Sequence, residues 1–267
     1  MTINKKISIL GCGWFGFELA KDLISQGYTV KGSTTTAQKL SVLQQHGIIP
    51  FLVDFQENEE NFNADFFDCD LLWICIPPKR STAEQHTFLS KIGRISAAAV
   101  KHNVKQVVFI SSTSVYRDAN NTVTENTIPN PESDSGKAML AAELLLKNQK
   151  AFCTTIFRFG GLFGPGRDPG RFFAGKTDIP NGNAPVNLIH LSDCIGLSNK
   201  LLQTEAFGYI YNACSTEHPT KKDFYTLAAQ KSELILPSFI NELLRFKLVN
   251  SKNIPEHLNY IFTVSLH

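Results

Sequence analysis

The tightest constraint in this 267-residue chain is the stretch Lys6-Ile7-Ser8-Ile9-Leu10-Gly11-Cys12-Gly13-Trp14-Phe15-Gly16. Ile7, Ile9 and Leu10 form a short apolar run that reaches a glycine at once, the pattern of a buried strand. After Gly16 the period changes. Phe17, Leu19, Ala20, Leu23 and Ile24 recur at helical spacing, and Gly27 follows as a stop. The glycines therefore lie on a strand-to-helix turn. There each has its own reason: Gly11 permits the tight turn, Gly13 puts no side chain between the backbone and a pyrophosphate, and Gly16 lets the helix pack on the strand. A helix start also offers unpaired N–H groups and the positive end of its dipole to phosphates. A glycine turn that binds nothing is the bland alternative; the strand and helix on either side favour a dinucleotide site.

The residues after the next strand, 28–30, bear on which dinucleotide. An NAD-preferring unit places an acid near here to hold the ribose hydroxyls. This chain has Ser33, Thr34, Thr35 and Lys39 instead. An acid repels a 2′-phosphate, whereas hydroxyls and a lysine accept one. The expected cofactor is NADP, with NAD possible. Alternatively, Ser33 and Thr34 cap a helix running through 39–45.

Further strands are expected at 47–54, 68–78, 106–110 and 154–159, with helices at 84–101 and 132–147. This alternation predicts a doubly wound, parallel α/β sheet of the Rossmann kind over residues 1–159. Ligands in such sheets bind beyond the carboxyl ends of the strands. Gly13, Asp54, Pro77 and Ser112 stand at such ends, with Phe55, Ile76 and Ser111 beside them. Past residue 160 the alternation weakens. The polar stretch 170–186 reads as an exposed substrate-side loop. Helices at 194–202 and 222–231 and a short strand at 209–211 predict a smaller lobe over 160–267, packed on the core as one compact body.

Apolar residues make up 43% of the chain and charged residues 19%, which excludes a disordered chain. A net charge of +2 is too small to argue for nucleic acid or an anionic membrane as partner. The six cysteines form no C-x-x-C pair, and the seven histidines show no metal-ligand spacing, so reduced core thiols and no metal are expected. Lys5-Lys6 before an apolar run imitates an export signal. The run holds the glycine turn, meets Glu18 and Lys21, and shows no small-residue cleavage site, so export is not expected. No stretch is long and apolar enough to span a bilayer. A cytoplasmic monomer or homodimer acting on a small molecule is the expectation.

Taken together, these residues resemble the extended and atypical short-chain dehydrogenase/reductases, the NAD(P)-dependent epimerase/dehydratase group, through almost the whole chain. Gly11-Cys12-Gly13-Trp14-Phe15-Gly16 matches the cofactor loop, although the superfamily's commoner form spreads its glycines wider. Val53-Asp54-Phe55 looks like the acid that bonds the adenine amino group. Ser111-Ser112-Thr113-Ser114-Val115-Tyr116 looks like the active-site segment after the fifth strand. Arg158 to Arg167 resembles R-x-x-x-x-x-G-P-G, and Asn187 to Asp193 resembles I-H-V-x-D. The resemblance implies cofactor contacts from Trp14, Phe15 and Lys137, and a Ser with a Y-x-x-x-K pair as the catalytic unit. Ser112 and Lys137 fall at two of those positions. Ser133 stands where the Tyr belongs, and Gly161 where sugar-nucleotide enzymes place an Asn.

A serine hydroxyl is too weak an acid to replace the phenol at neutral pH. Tyr116, four residues beyond Ser112, is the nearest phenol and could stand in, its pKa lowered by Lys137; equally, it could pack under the following loop. Ser112 could act beside the nicotinamide or bond backbone. Arg158, inside an apolar strand, reads as a structural pair, and Arg167 as an anion contact. Asn187 and His190 are substrate candidates, while Ser192 and Asp193 read as a helix cap. Two functions follow. One is an NADP(H)-dependent epimerase, dehydratase or oxidoreductase on a small polar or sugar-like substrate. The other is a Rossmann protein that binds NADP(H) without turnover, as a sensor or scaffold.

Overall fold

The computed structural model describes residues 5–78 and 82–267. Seven strands form its central sheet: β1 (Lys6–Leu10), β2 (Thr29–Thr34), β3 (Ile49–Leu52), β4 (Leu71–Ile74), β5 (Gln106–Ser112), β6 (Cys153–Phe159) and β7 (Ile210–Ala213). All are parallel, in the spatial order β7-β6-β5-β4-β1-β2-β3. The order reverses between β1 and β4, where Leu10 pairs with Ile74. The crevice above that reversal is where an open parallel sheet takes a ligand.

Period-2 alternation sends successive side chains to opposite faces. Ile7, Ile9, Trp73, Val108 and Phe157 go to one face, under α1 (Trp14–Ser25). Leu10, Leu72, Ile74, Val107 and Phe109 go to the other, under α3 (Thr82–Lys101) and α4 (Asp134–Asn148). Both faces are buried, which is why the strands read as near-continuous apolar runs. Between β2 and β3, a 3-10 turn at Ala37–Lys39 leads into the short α2 (Leu40–Gln45), where a helix was expected.

The division at residue 160 does not hold for the sheet. β7 pairs with β6 along Ile210–Ala213, and α5 (Leu191–Thr204) contributes Leu191, Leu197 and Leu201 to the core above α1. The short strand expected at 209–211 in the smaller lobe is thus the seventh strand of the sheet, a place decided by its pairing with β6. What remains on the substrate side is a set of small pairs: Gly161–Phe163 with Leu188–His190, Asn121–Val123 with Lys247–Val249, and α6 (Lys221–Lys231) against Gly170–Phe173. No helix among the described residues is long and apolar enough to cross a membrane.

Candidate functional site

The glycine turn is built as its spacing requires. Gly11 has φ +97°, and a Cβ there would lie 2.8 Å from Ile76 Cγ2. A Cβ at Gly16 would collide with the Gly11 carbonyl oxygen. At Gly13 a Cβ meets nothing within 4 Å, so this position faces open space. Ser33, buried at the end of β2, accepts the Gly11 N–H at 2.9 Å, and its carbonyl accepts Cys12 N–H at 2.9 Å. No side chain caps α1 and no acid sits in its first turn. Its N–H groups and dipole are therefore left for an anion from elsewhere. This cradle fits a dinucleotide pyrophosphate.

A cavity of about 500 Å³ opens from this turn over β1, β2 and β4. It gathers Gly11, Gly13, Ser33, Thr34, Thr35 and Lys39 with Asp54, Phe55, Ile76 and Pro77. The Ser33 and Thr34 hydroxyls do not cap a helix. Ser33 braces Gly11, and Thr34 Oγ1 accepts Thr36 N–H at 3.1 Å. The Asp54 carboxylate accepts both of its side-chain bonds from Gln56 Nε2, at 2.7 Å each. Burial of the Cys12 thiol beneath the turn pushes its pKa up to about 12, so it is no nucleophile. Phe15 turns its ring into the core against Phe159, 5.2 Å between centroids, which leaves only its backbone for a ligand. Trp14 is likewise engaged: its Nε1 donates to Pro165 O at 2.6 Å and its ring lies under Arg167 at 4.3 Å. Arg167 is thus placed over the glycine turn, not over Ser112.

A second cavity, of about 350 Å³, lies over the carboxyl ends of β5 and β6. Ser112 stands at its edge and accepts Ser114 N–H at 3.1 Å. Gly161, Asn187, Lys221, Arg245 and Lys247 line the rest, with Asp118.

Four expected roles fail on the geometry. Tyr116 is buried at 3% exposure, and its hydroxyl donates toward Thr124 O and Asn212 Oδ1, both at 3.0 Å, while accepting from Arg158 Nη1. Burial raises its pKa, although Arg158 opposes the rise. It is a core phenol, the opposite of a primed acid/base. Lys137 lines neither cavity; its Nζ is 3.4 Å from Asp134 and its side chain is 60% exposed. Ser111 turns inward and donates to Glu143, so its hydroxyl cannot meet a cofactor. His190 lines a different cavity with Phe163, Asp168 and Phe224. Its Nδ1 accepts Ser192 N–H at 3.2 Å, so His190 caps α5 in place of Ser192 or Asp193. Burial lowers its pKa, keeping the ring neutral as that bond requires. Asp193 instead ties down the C-terminal tail through Tyr260 and Thr263.

Ser133, at the position where the Tyr was expected, is the N-cap of α4 and accepts Gly136 N–H at 3.1 Å. Arg158 forms the anticipated structural pair, bonded to Glu143 from Nε and Nη2. Asn187 lines the second cavity, yet its amide holds a backbone: Nδ2 donates to Lys247 O and Oδ1 accepts Val249 N–H, both at 2.8 Å. Asp118, Lys221, Arg245 and Lys247 were missed. Nothing local marks them, because more than a hundred residues separate Asp118 from the lysine and arginine it meets.

Comparison with known proteins agrees with this geometry. A family model described as NAD(P)H-binding matches residues 11–187. Protein YeeZ of Escherichia coli K12 is 39% identical over 243 residues, covering 90% of this chain and 88% of that one. Among solved structures, a UDP-glucuronic acid 4-epimerase from Bacillus cereus in complex with NAD is 19% identical with a TM-score of 0.79, over 98% of this chain and 94% of that one. A short-chain dehydrogenase/reductase superfamily protein from Agrobacterium tumefaciens with bound NAD gives 18%, 0.78, 98% and 93%. The uncapped glycine turn, the sheet order and the match over most of the chain lead to one conclusion: the chain belongs to the NAD(P)H-binding family, with the Rossmann fold of short-chain dehydrogenase/reductases.

Proposed function

We propose that this protein is an NADP(H)-dependent oxidoreductase, epimerase or dehydratase acting on a small polar substrate in the cleft beside Ser112. The observation that carries the reading is the pairing of two cavities on one sheet edge, one at the glycine turn and one at Ser112. NADP(H) held at the first cavity would supply hydride exchange for a substrate in the second. Gly13 and the start of α1 would hold its pyrophosphate, and Asp54 and Phe55, on the same cavity wall, would take its adenine end. Ser112 Oγ accepts Ser114 N–H, so its own proton is left to donate toward a substrate oxygen. That orients and polarises the oxygen without a phenol. The cleft is open to solvent, which exchanges the proton. If this reading is right, Ser112→Ala abolishes reduction of bound NADP by a panel of small hydroxy compounds while cofactor affinity stays within twofold or so. Activity retained in that variant would reject Ser112.

The preference for NADP rests on Lys39, Thr35 and Thr36 at the rim of the first cavity, with no acid among residues 31–39. Lys39→Ala is expected to weaken NADP roughly three- to tenfold and leave NAD almost unchanged, because only the 2′-phosphate loses a partner. Calorimetry with both cofactors reads it; equal losses for the two would end the assignment.

The second reading, a binding protein without turnover, has its own support. Ser133 serves as a helix cap, Lys137 pairs with Asp134, and Tyr116 is buried, so the family's acid/base unit is dismantled. Tight NADP(H) binding with no substrate-dependent change in nicotinamide absorbance would favour it.

A further inference from the structure

The cleft beside Ser112 carries more positive charge than its carboxylates neutralise. Lys221 enters it from the first turn of α6, and Arg245 and Lys247 from the C-terminal segment. Arg245 Nη2 lies 2.6 Å from Glu132, which Arg117 also approaches at 3.6 Å. Lys247 Nζ lies 2.8 Å from Asp118. Lys221 has no carboxylate at ion-pair distance among the described residues; its Nζ meets only the Pro180 carbonyl, at 3.3 Å. The cleft lining itself holds three cations, Lys221, Arg245 and Lys247, and one carboxylate, Asp118. Lys221 is half-buried, and burial pulls its pKa below the ordinary lysine value, which Asp118 only partly offsets. A desolvated ammonium without a counter-ion is costly until an anion reaches it.

The backbone that presents Arg245 and Lys247 is also fixed in place. Asn181 donates to Arg245 O at 2.6 Å and accepts Leu244 N–H at 2.8 Å. Asn120 accepts Phe246 N–H at 2.9 Å, and Asn187 grips Lys247 O and Val249 N. Three asparagines from two separate loops clamp the segment that presents Arg245 and Lys247. A segment held this way needs no reordering on binding, which is how a site gains affinity from few contacts.

We propose that the substrate of this cleft is a small phosphate monoester, with its phosphate held by Lys221, Arg245 and Lys247 and its reacting hydroxyl toward Ser112. The excess positive charge matches a monoester dianion, about −1.5 to −2 at neutral pH, better than a single carboxylate. A cavity of about 350 Å³ lies at the small end of ligand clefts, suiting a compact ester. This rests on the reading of the Ser112 cleft as the substrate side, but its test needs no cofactor.

Inorganic phosphate is titrated calorimetrically into the full chain, into Gly13→Val to remove phosphate binding at the glycine turn, and into Gly13→Val carrying Lys221→Gln or Lys221→Arg. Phosphate binding should survive Gly13→Val, weaken roughly tenfold or more on adding Lys221→Gln, and return with Lys221→Arg. Unfolding midpoints of the variants show whether the fold is kept; rescue by Lys221→Arg identifies the charge if Lys221→Gln also destabilises. Binding indifferent to Lys221→Gln, or no binding in Gly13→Val, overturns the site. Acetate binding as tightly as phosphate, with the same dependence on Lys221, overturns the phosphate assignment. Failure of the NADP(H) reading appears separately, as absent cofactor binding in the parent chain.

Discussion

Replacing Glu143 with alanine is expected to destabilise the fold by about 3–5 kcal/mol, because it strands a buried guanidinium. Glu143 and Arg158 side chains are each 3% exposed. Arg158 reaches the carboxylate through Nε at 3.0 Å and Nη2 at 2.6 Å, and its Nη1 meets the Tyr116 hydroxyl. Ser111 donates to the same carboxylate. Loss of the acid leaves the Arg158 charge and the Ser111 hydroxyl without their shared acceptor. For a chain of this size the cost corresponds to a fall in unfolding midpoint on the order of 10 °C. The companion change Glu143→Leu with Arg158→Met should recover most of it, since removing both charges avoids the stranded ion. A midpoint unchanged in Glu143→Ala would show that the pair is not what holds α4 to β5 and β6. The network also ends one residue before Ser112, so cleft chemistry should weaken with it.

Gly13→Val is expected to lower dinucleotide affinity on the order of a hundredfold while leaving the unfolding midpoint nearly unchanged. Gly13 has φ −85° and ψ −154°, extended backbone that valine adopts readily, and a Cβ there meets no protein atom within 4 Å. The added methyl groups project toward the approaching pyrophosphate, which then loses charge-assisted bonds to the N–H groups of α1. Two such bonds, at roughly 1.5 kcal/mol or more each, give the hundredfold figure. Gly16 offers no such separation, since a Cβ there strikes the Gly11 carbonyl within the fold itself. Unchanged NADP(H) affinity in Gly13→Val, measured by calorimetry, would place the cofactor elsewhere.

The cofactor half of the site was legible because its signals are local. A turn that must bend at Gly11 and pack at Gly16 writes itself into eleven consecutive residues, and Ser33, Thr34, Asp54 and Pro77 follow at or just past strand ends that apolar periodicity reveals, with Lys39 in the turn after β2. The doubly wound sheet was legible for the same reason, since strands buried on both faces read as apolar runs between helical ones. Even Arg158 could be assigned, because a charge inside such a run must find a buried partner.

The remaining choices were made by packing. Whether the Tyr116 phenol faces a cleft or the core depends on where Arg158 and Asn212 stand, and those lie 42 and 96 residues away. Lys137 has a family position but takes its direction from Asp134, one helical turn back. β7 is too short to announce its place, and only pairing with β6 makes it part of the sheet. The basic rim of the Ser112 cleft exists only because Asn120, Asn181 and Asn187 bring the segment from Leu244 to Val249 against two loops, one of them more than a hundred residues earlier. Periodicity and glycine spacing determine what a segment becomes and where a phosphate can lie. Which side chains converge on a substrate is a long-range property, carried by hydrogen bonds between segments whose sequences hold no trace of each other.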